Sequence, residues 1–187
     1  MSTLTLVGAF ASPYSRKMRA LLRYRRIPFR WILRGSPADR DTPSVPVALI
    51  PVLVLPSAEG DTAMIDSTFQ IRRLESDFAE RAVTPPDPAV AFLDALVEDY
   101  ADEWLTKAMF HYRWAYAADA AKAAHVLPCD MNLDLPPDQL ARAAQAFGDR
   151  QIGRLAVVGS NAATGPLIEA SYRRVLGILD AHVQRLP

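Results

Sequence analysis

The chain has 187 residues, half of them apolar and 22% charged, the composition of an ordinary globular protein of one large or two small domains. Lys+Arg and Asp+Glu are equal at 21 each, so no excess of basic charge is available to hold a nucleic acid or a membrane surface. The one cysteine, Cys129, excludes an intrachain disulfide and has no metal-ligand spacing. The longest apolar run, Val47 to Pro56, has 10 residues, against ~20 for a membrane helix. Ala9-Phe10-Ala11 has the form of a signal cleavage site, but no basic segment precedes it and the stretch from Met1 is too short, so the expected location is the cytoplasm.

Leu4 to Phe10 is largely apolar and predicts a strand covered on both faces. Ser12-Pro13 then predicts a helix start, with Ser at the N-cap and Pro at the first helical position. Tyr14, Met18, Leu21 and Leu22 share one face of that helix, basic residues fill the other through Arg26, and Pro28 stops it. Phe29 to Leu33 is a second strand, and strand-helix-strand with short connections predicts a parallel pair. Residues 35–46, rich in Pro, Asp and Ser, read as a loop. Val52 to Leu55 and Thr62 to Ile65 flank the turn at Ala58-Glu59-Gly60-Asp61 and predict a hairpin. Ser67-Thr68-Phe69-Gln70 fits a capping box, Ser67 at the N-cap and Gln70 at N3, opening a helix to about Phe78.

Thr84-Pro85-Pro86-Asp87-Pro88 is the stiffest segment and the expected domain boundary, giving residues 1–80, a linker at 81–88, and 89–187. Beyond it no strand pattern occurs. One helix is predicted from Pro88 to about Ala124, roughly 55 Å long if unbroken. A loop from Leu127 to Pro137, a helix from Asp138 to about Val158, a turn from Gly159 to Gly165 and a helix from Pro166 to Leu186 complete the chain. The element pattern is an α/β domain followed by an all-α helical-bundle domain.

Three segments carry a family resemblance. Ser12-Pro13-Tyr14-Ser15-Arg16-Lys17-Met18-Arg19 resembles the Ser-Pro-aromatic-x-x-Lys-Val-Arg opening of bacterial glutathione transferases. Ile50-Pro51-Val52-Leu53 resembles that family's Val-Pro-x-Leu segment, and Asp66-Ser67 with Ile71 and Arg73-Leu74-Glu75 is similar to its Glu/Asp-Ser-x-x-Ile-x-x-Tyr-Leu signature. The resemblance is specific over residues 4–78 and looser from 88 onward. The family continues past the last helix seen here with a Ser/Thr-x-x-Asp box and further helices, so a chain ending at Pro187 resembles a shortened member.

The resemblance implies that the α/β domain is thioredoxin-like and carries a Ser-type glutathione site. Ser12 stands where such members contact the glutathione sulfur. A thiol of cysteine type has a pKa near 8.5, and lowering it about two units requires about 2.7 kcal/mol in favour of the anion. A hydrogen bond to a charged group supplies roughly 1.5–3 kcal/mol, and a helix N-terminus roughly 0.3–1. Ser12 would then donate to the thiolate without acting as a nucleophile; as a plain N-cap it contributes ~1 kcal/mol to its helix. Ser15, at the second position of a redox Cys-x-x-Cys pair, is not a cysteine either, which excludes disulfide exchange by these residues. Pro51 is implied to be cis and to expose the backbone of Ile50 to the cysteinyl backbone of glutathione. Asp66 and Ser67 are implied to hold the γ-glutamyl ammonium and carboxylate. The second-substrate pocket is expected from among Tyr14, Trp104, Lys107, His111 and Tyr112, with Met109 as a further candidate, although the helix phase leaves the choice open.

No metal site is expected, because His111, His125 and His182 have no partner at ligand spacing. Gly159 to Gly165 lacks the Lys-Ser/Thr and the preceding strand of a phosphate loop, and no Gly-x-Ser-x-Gly or His-Glu-x-x-His occurs. The functional readings are two. One is an enzyme that binds reduced glutathione as co-substrate, stabilises its thiolate and adds it to a small electrophilic apolar substrate. The other is a non-catalytic glutathione-binding or protein-interaction module of the same fold. The resemblance also implies a homodimer.

Overall fold

The computed structural model describes residues 3–130 and 134–185. The chain divides into two compact units: Met1–Ala95 with Cys129–Leu135, and Leu96–Pro128 with Pro136–Pro187.

The first unit is a thioredoxin-like α/β layer structure. Its elements are β1 (Leu4–Gly8), α1 (Pro13–Tyr24), β2 (Phe29–Leu33), a 3₁₀ turn (Pro37–Asp41), β3 (Val52–Leu55), β4 (Thr62–Met64) and α2 (Ser67–Asp77). The sheet order is β2-β1-β3-β4. β1 and β2 are parallel, with Leu4 opposite Phe29 and Gly8 opposite Leu33. β3 runs antiparallel to β1, with Leu6 opposite Leu53, and to β4, with Leu53 opposite Met64.

Because strand side chains alternate between faces, the sheet has two cores. Leu4, Leu6 and Leu53 meet Met18, Leu22, Ile27 and Leu74 on one side, and so bury the apolar stripes of α1 and α2. Val7, Ile32, Val52 and Val54 face the other way, against Val45, Ala63 and Ile65. The run Val52-Leu53-Val54 is apolar throughout because both of its faces are covered.

A buried ion pair closes this unit. The Arg25 side chain, fully buried just past the end of α1, reaches Glu75 of α2 at 2.7 Å. It also donates to the carbonyl oxygens of Phe78 and Glu80. Glu75 accepts in turn from the backbone N–H of Val83 and Thr84, at 3.2 and 3.1 Å.

The helical unit departs from the single rod expected after Pro88. The segment divides into α3 (Pro88–Tyr100), a π-helical stretch (Ala101–Leu105), α4 (Thr106–Trp114) and α5 (Ala117–Cys129); the division between the two units falls inside α3. At the first break the Thr106 hydroxyl donates to the carbonyl of Asp102 at 2.6 Å, the side-chain back-bonding that loosens a helix. At the second, Ala115 still donates to the His111 carbonyl, while Ala120 takes up the Tyr116 carbonyl as a new helix begins. α6 (Pro137–Ile152) ends earlier than expected in a run of turns, and α7 (Gly165–Arg185) follows. Trp114, 2% exposed, sits against Phe110 and Phe147 in this unit's interior. Gly148 lets α6 come close to α5, since a Cβ there would lie 3.0 Å from the Ala124 Cβ.

Candidate active site

The junction of β1 and α1 is built on two serines with different tasks. Ser12 is the N-cap of α1, extended at φ −73° and ψ 122°, and its Oγ accepts the Ser15 N–H at 3.2 Å. A hydroxyl has one hydrogen to donate and two lone pairs, so the capping bond leaves that hydrogen for another acceptor. Ser12 is half-buried. Ser15 is fully buried, and its Oγ accepts the Ala9 N–H at 3.3 Å. It packs so closely on β1 that a Cβ on Gly8 would lie 2.3 Å from the Ser15 Oγ. The glycine is there for that approach.

The Ile50–Pro51 peptide bond is cis, and Pro51 is buried at the start of β3. Its carbonyl accepts from Gln70 Nε2 at 2.8 Å, and the same nitrogen donates to the Met64 carbonyl at 2.8 Å. This overturns the expected capping box. Gln70, 0% exposed, points inward to two backbone acceptors and does not reach back to its own helix end.

Asp66 takes the N-cap in place of Ser67, its Oδ1 accepting the N–H groups of Thr68 at 3.0 Å and Phe69 at 3.5 Å. It does so at φ 74°, a left-handed conformation that costs a non-glycine residue on the order of 1–3 kcal/mol and persists where surrounding contacts over-determine it. Ser67 becomes the first residue of α2. It is 6% exposed, and its Oγ lies 3.4 Å from Lys17 Nζ of α1. Two hydrogen bonds thus join the expected glutathione residues into one network: Gln70 ties Pro51 to the first turn of α2, and Lys17 ties α1, which Ser12 caps, to Ser67.

Tyr14, half-buried, belongs to the α/β unit, whereas the other second-substrate candidates belong to the helical unit, where they separate. Trp104 and Lys107 line a cavity of about 310 Å³ with Tyr100 and Tyr172, the Lys107 ammonium 4.2 Å above the Trp104 ring. Met109 and Tyr112 line a second, more open cavity of about 480 Å³ with Arg113 and Lys122. His111 lines neither of these two cavities.

His111 is instead the centre of a buried polar cluster that sequence reasoning missed. Its Nδ1 is 2.7 Å from the Ser160 Oγ and its Nε2 is 3.5 Å from Glu169 of α7. Tyr116 also donates to Glu169, and Arg173 pairs with it at 2.8 Å. The Tyr116 hydrogen bond, followed by those of His111 and the charge of Arg173, holds the Glu169 carboxyl below its ordinary range against the opposing effect of burial. The same bond raises the Tyr116 hydroxyl. Among the described residues no group of three His, Cys, Asp or Glu side chains is placed to hold a metal ion, and no helix is long and apolar enough to cross a membrane.

A β-α-β opening, a hairpin and a capped helix, followed by helices alone, define a thioredoxin-like domain joined to a helical region. Residues 6–82 match the family model of the glutathione S-transferase N-terminal domain, the stretch in which the three motifs resemble that family. No curated protein matches the chain. Solved structures similar to it include a glutathione S-transferase from Methylobacterium radiotolerans in complex with glutathione sulfonate, 22% identical with a TM-score of 0.42, over 81% of this chain and 63% of that one. Another is a glutathione S-transferase from Methylobacillus flagellatus with GSH bound, 25% identical with a TM-score of 0.44, over 81% and 66%. A maleylacetoacetate isomerase from Anaeromyxobacter dehalogenans with bound GSH is 17% identical with a TM-score of 0.48, over 89% and 87%. The chain spans less than two thirds of the length of the first two.

Proposed function

We propose that this protein binds reduced glutathione, stabilises its thiolate at Ser12 and adds the sulfur to a small electrophilic apolar substrate. The observation that carries the reading is the serine-capped start of α1, lying within a segment of glutathione S-transferase type. The Ser12 oxygen is occupied by the Ser15 N–H while its hydrogen is left to donate, which suits an anion acceptor.

In this reading Ile50 and Pro51 present backbone to the cysteinyl residue, and Asp66 and Ser67 receive the γ-glutamyl end. The thiol proton passes to water. A sulfur lone pair then forms the S–C bond, and the displaced electron pair leaves with a departing group or moves onto the substrate's acceptor atom. Trp104 and Lys107, which line one cavity of the helical unit, supply aromatic and cationic surface for the second substrate. We take residues 1–80 as the glutathione domain, 81–88 as the linker and 89–187 as the helical domain of a cytoplasmic homodimer, a state that light scattering tests.

The functional test is calorimetric titration of glutathione into the wild type and Ser12→Ala, with the bound thiol titrated by its thiolate absorbance. Saturable binding with a thiol pKa below 8.5, raised by about 1–2 units in Ser12→Ala at similar affinity, supports the reading. A folded wild type that fails to bind overturns it. Binding with an unshifted thiol pKa leaves a glutathione-binding module without thiolate chemistry.

A further inference from the structure

The balanced total charge conceals a segregation. No acidic residue precedes Asp39, and Arg16, Arg19 and Arg23 recur at helical spacing along the outer side of α1. Among the described residues none of the three pairs with a carboxylate. Arg16 donates to the Phe10 carbonyl at 2.7 Å, and Arg19 lies on two aromatic rings. Burial, and then the charges of Arg23 and Arg16, lower the Arg19 guanidinium from its ordinary range; a carboxylate close by would do the opposite.

The rings belong to Phe10 and Trp31, with centroids 5.8 Å apart. The Arg19 Cζ stands 4.6 Å from the Trp31 ring and 5.5 Å from that of Phe10. Its Nε is covered within this stack, which leaves the two terminal nitrogens to donate. A guanidinium laid on rings has less freedom to lose when its fork takes a carboxylate.

Trp31 also belongs to β2, the edge strand of the sheet. Leu4 donates to the Pro28 carbonyl at 3.3 Å and Arg34 to the Gly8 carbonyl at 2.8 Å, at the two ends of the parallel β1–β2 ladder. Bonded residues alternate along a strand, so the even-numbered residues of β2 turn their backbone to β1, and Phe29 and Trp31 turn theirs outward. Among the described residues nothing bonds those outward N–H and C=O groups, which form a template for a further strand. The Phe29 and Trp31 side chains pack on the α1 side of the sheet. Every second side chain of an added strand would therefore stand on the side of Trp31 and Arg19.

We propose that the β2 edge, with Arg16, Arg19 and Arg23, is a docking site for an extended acidic segment of another protein. That segment pairs with the backbone of Phe29 and Trp31 and offers Asp or Glu at alternate positions to the arginines. The backbone fixes its register, and the guanidinium fork on Trp31 selects the carboxylates. A single-stranded polynucleotide also carries regular negative charge, but it has no peptide N–H for the Phe29 and Trp31 carbonyls.

The experiment titrates the full chain with a blocked peptide of about eight residues alternating Thr and Glu, a usual strand length. Calorimetry reads affinity, and amide NMR with hydrogen exchange reads Phe29 and Trp31. The controls are the Thr-Lys peptide of the same length and a short oligothymidylate. Saturable binding of the Thr-Glu peptide is expected, weakening as salt rises, with exchange at the Phe29 and Trp31 amides slowed about tenfold or more at saturation. Arg19→Leu is expected to bind it about ten- to a hundredfold more weakly, and the exposed Arg23→Glu about tenfold more weakly.

A wild type that fails to bind the Thr-Glu peptide overturns the proposal, as does equal binding of the Thr-Lys peptide. Binding that leaves the Phe29 and Trp31 amides exchanging as before overturns it too, since charge alone would then hold the peptide. Oligothymidylate bound at these arginines in preference to the Thr-Glu peptide replaces it with a nucleic-acid surface. If Arg19→Leu fails to melt cooperatively, Arg23→Glu decides: undiminished binding by that variant is the overturning result.

Discussion

Replacing Gln70 separates a hydrogen-bonding role from a packing one. Its Nε2 is the donor recorded for the carbonyls of Pro51 and Met64, each at 2.8 Å, and the side chain is 0% exposed. Gln70→Met keeps most of the volume but removes both donors. The buried Pro51 carbonyl left without this partner costs about 1–3 kcal/mol and the part-buried Met64 carbonyl less, partly offset by the apolar side chain, so a net loss of about 1–3 kcal/mol is expected. That is a large share of the roughly 5–15 kcal/mol of a typical domain. Gln70→Glu should be worse at neutral pH, because a buried carboxylate would face two carbonyl oxygens. Burial and those oxygens raise its folded-state pKa above the unfolded ~4.3. The native state then binds more protons than the unfolded one, and stability falls as pH rises. The deficit of Gln70→Glu should be complete above its folded pKa and shrink as pH falls toward ~4.3, where the protonated acid regains one donor. Urea unfolding at pH 5 and pH 8, with hydrogen exchange across β3 and α2, measures both effects. A Gln70→Met variant within about 0.5 kcal/mol of wild type, or a Gln70→Glu deficit identical at both pH values, would refute the reasoning.

Two further outcomes are expected. Gly8→Ala places a Cβ 2.3 Å from the Ser15 Oγ, 2.9 Å from its Cβ and 2.9 Å from the Trp31 ring. It should destabilise the α/β unit by about 1–3 kcal/mol in urea unfolding, with Gly8→Ala/Ser15→Ala recovering only part because the Cβ and ring contacts remain; a neutral Gly8→Ala contradicts this packing. Tyr116→Phe removes the largest cause of the depressed Glu169 titration, so that titration should move up toward the ordinary carboxyl range in carboxyl-resolved NMR. The Glu169 contribution to stability is present above its unfolded pKa and is lost as pH falls through the folded one, so Tyr116→Phe should begin to lose it at a higher pH. An unmoved Glu169 would mean that Arg173 and His111 set it.

The α/β half is legible because its signals are local. Ser12-Pro13 marks its helix by capping chemistry alone, and the apolar runs around the turn at 58–61 pair as a hairpin. What failed is the choice between a local partner and a distant one. Gln70 stands three residues after Ser67, so the neighbouring helix end is the partner that spacing suggests; the winning acceptors, Pro51 and Met64, become neighbours once the sheet exists. His111 and Ser160 are 49 positions apart, and nothing in either segment advertises the other. The helix after Pro88 left the choice of pocket residues open through its phase. Five π-helical residues, Ala101–Leu105, alter the residues per turn, so the faces before and after them are out of step. Trp104 and Lys107 fall to one cavity, Tyr112 to another and His111 to a buried cluster.

The Glu75 carboxylate receives Arg25 and the backbone N–H groups of Val83 and Thr84. Its consequence is mechanical. Tension on the polypeptide beyond Thr84 first loads those two N–H bonds and the ion pair, and passes into α2 and α1. The sheet feels that load only at second hand, through the Leu74, Met18 and Leu22 contacts and the Gln70 bonds that fasten the two helices to it.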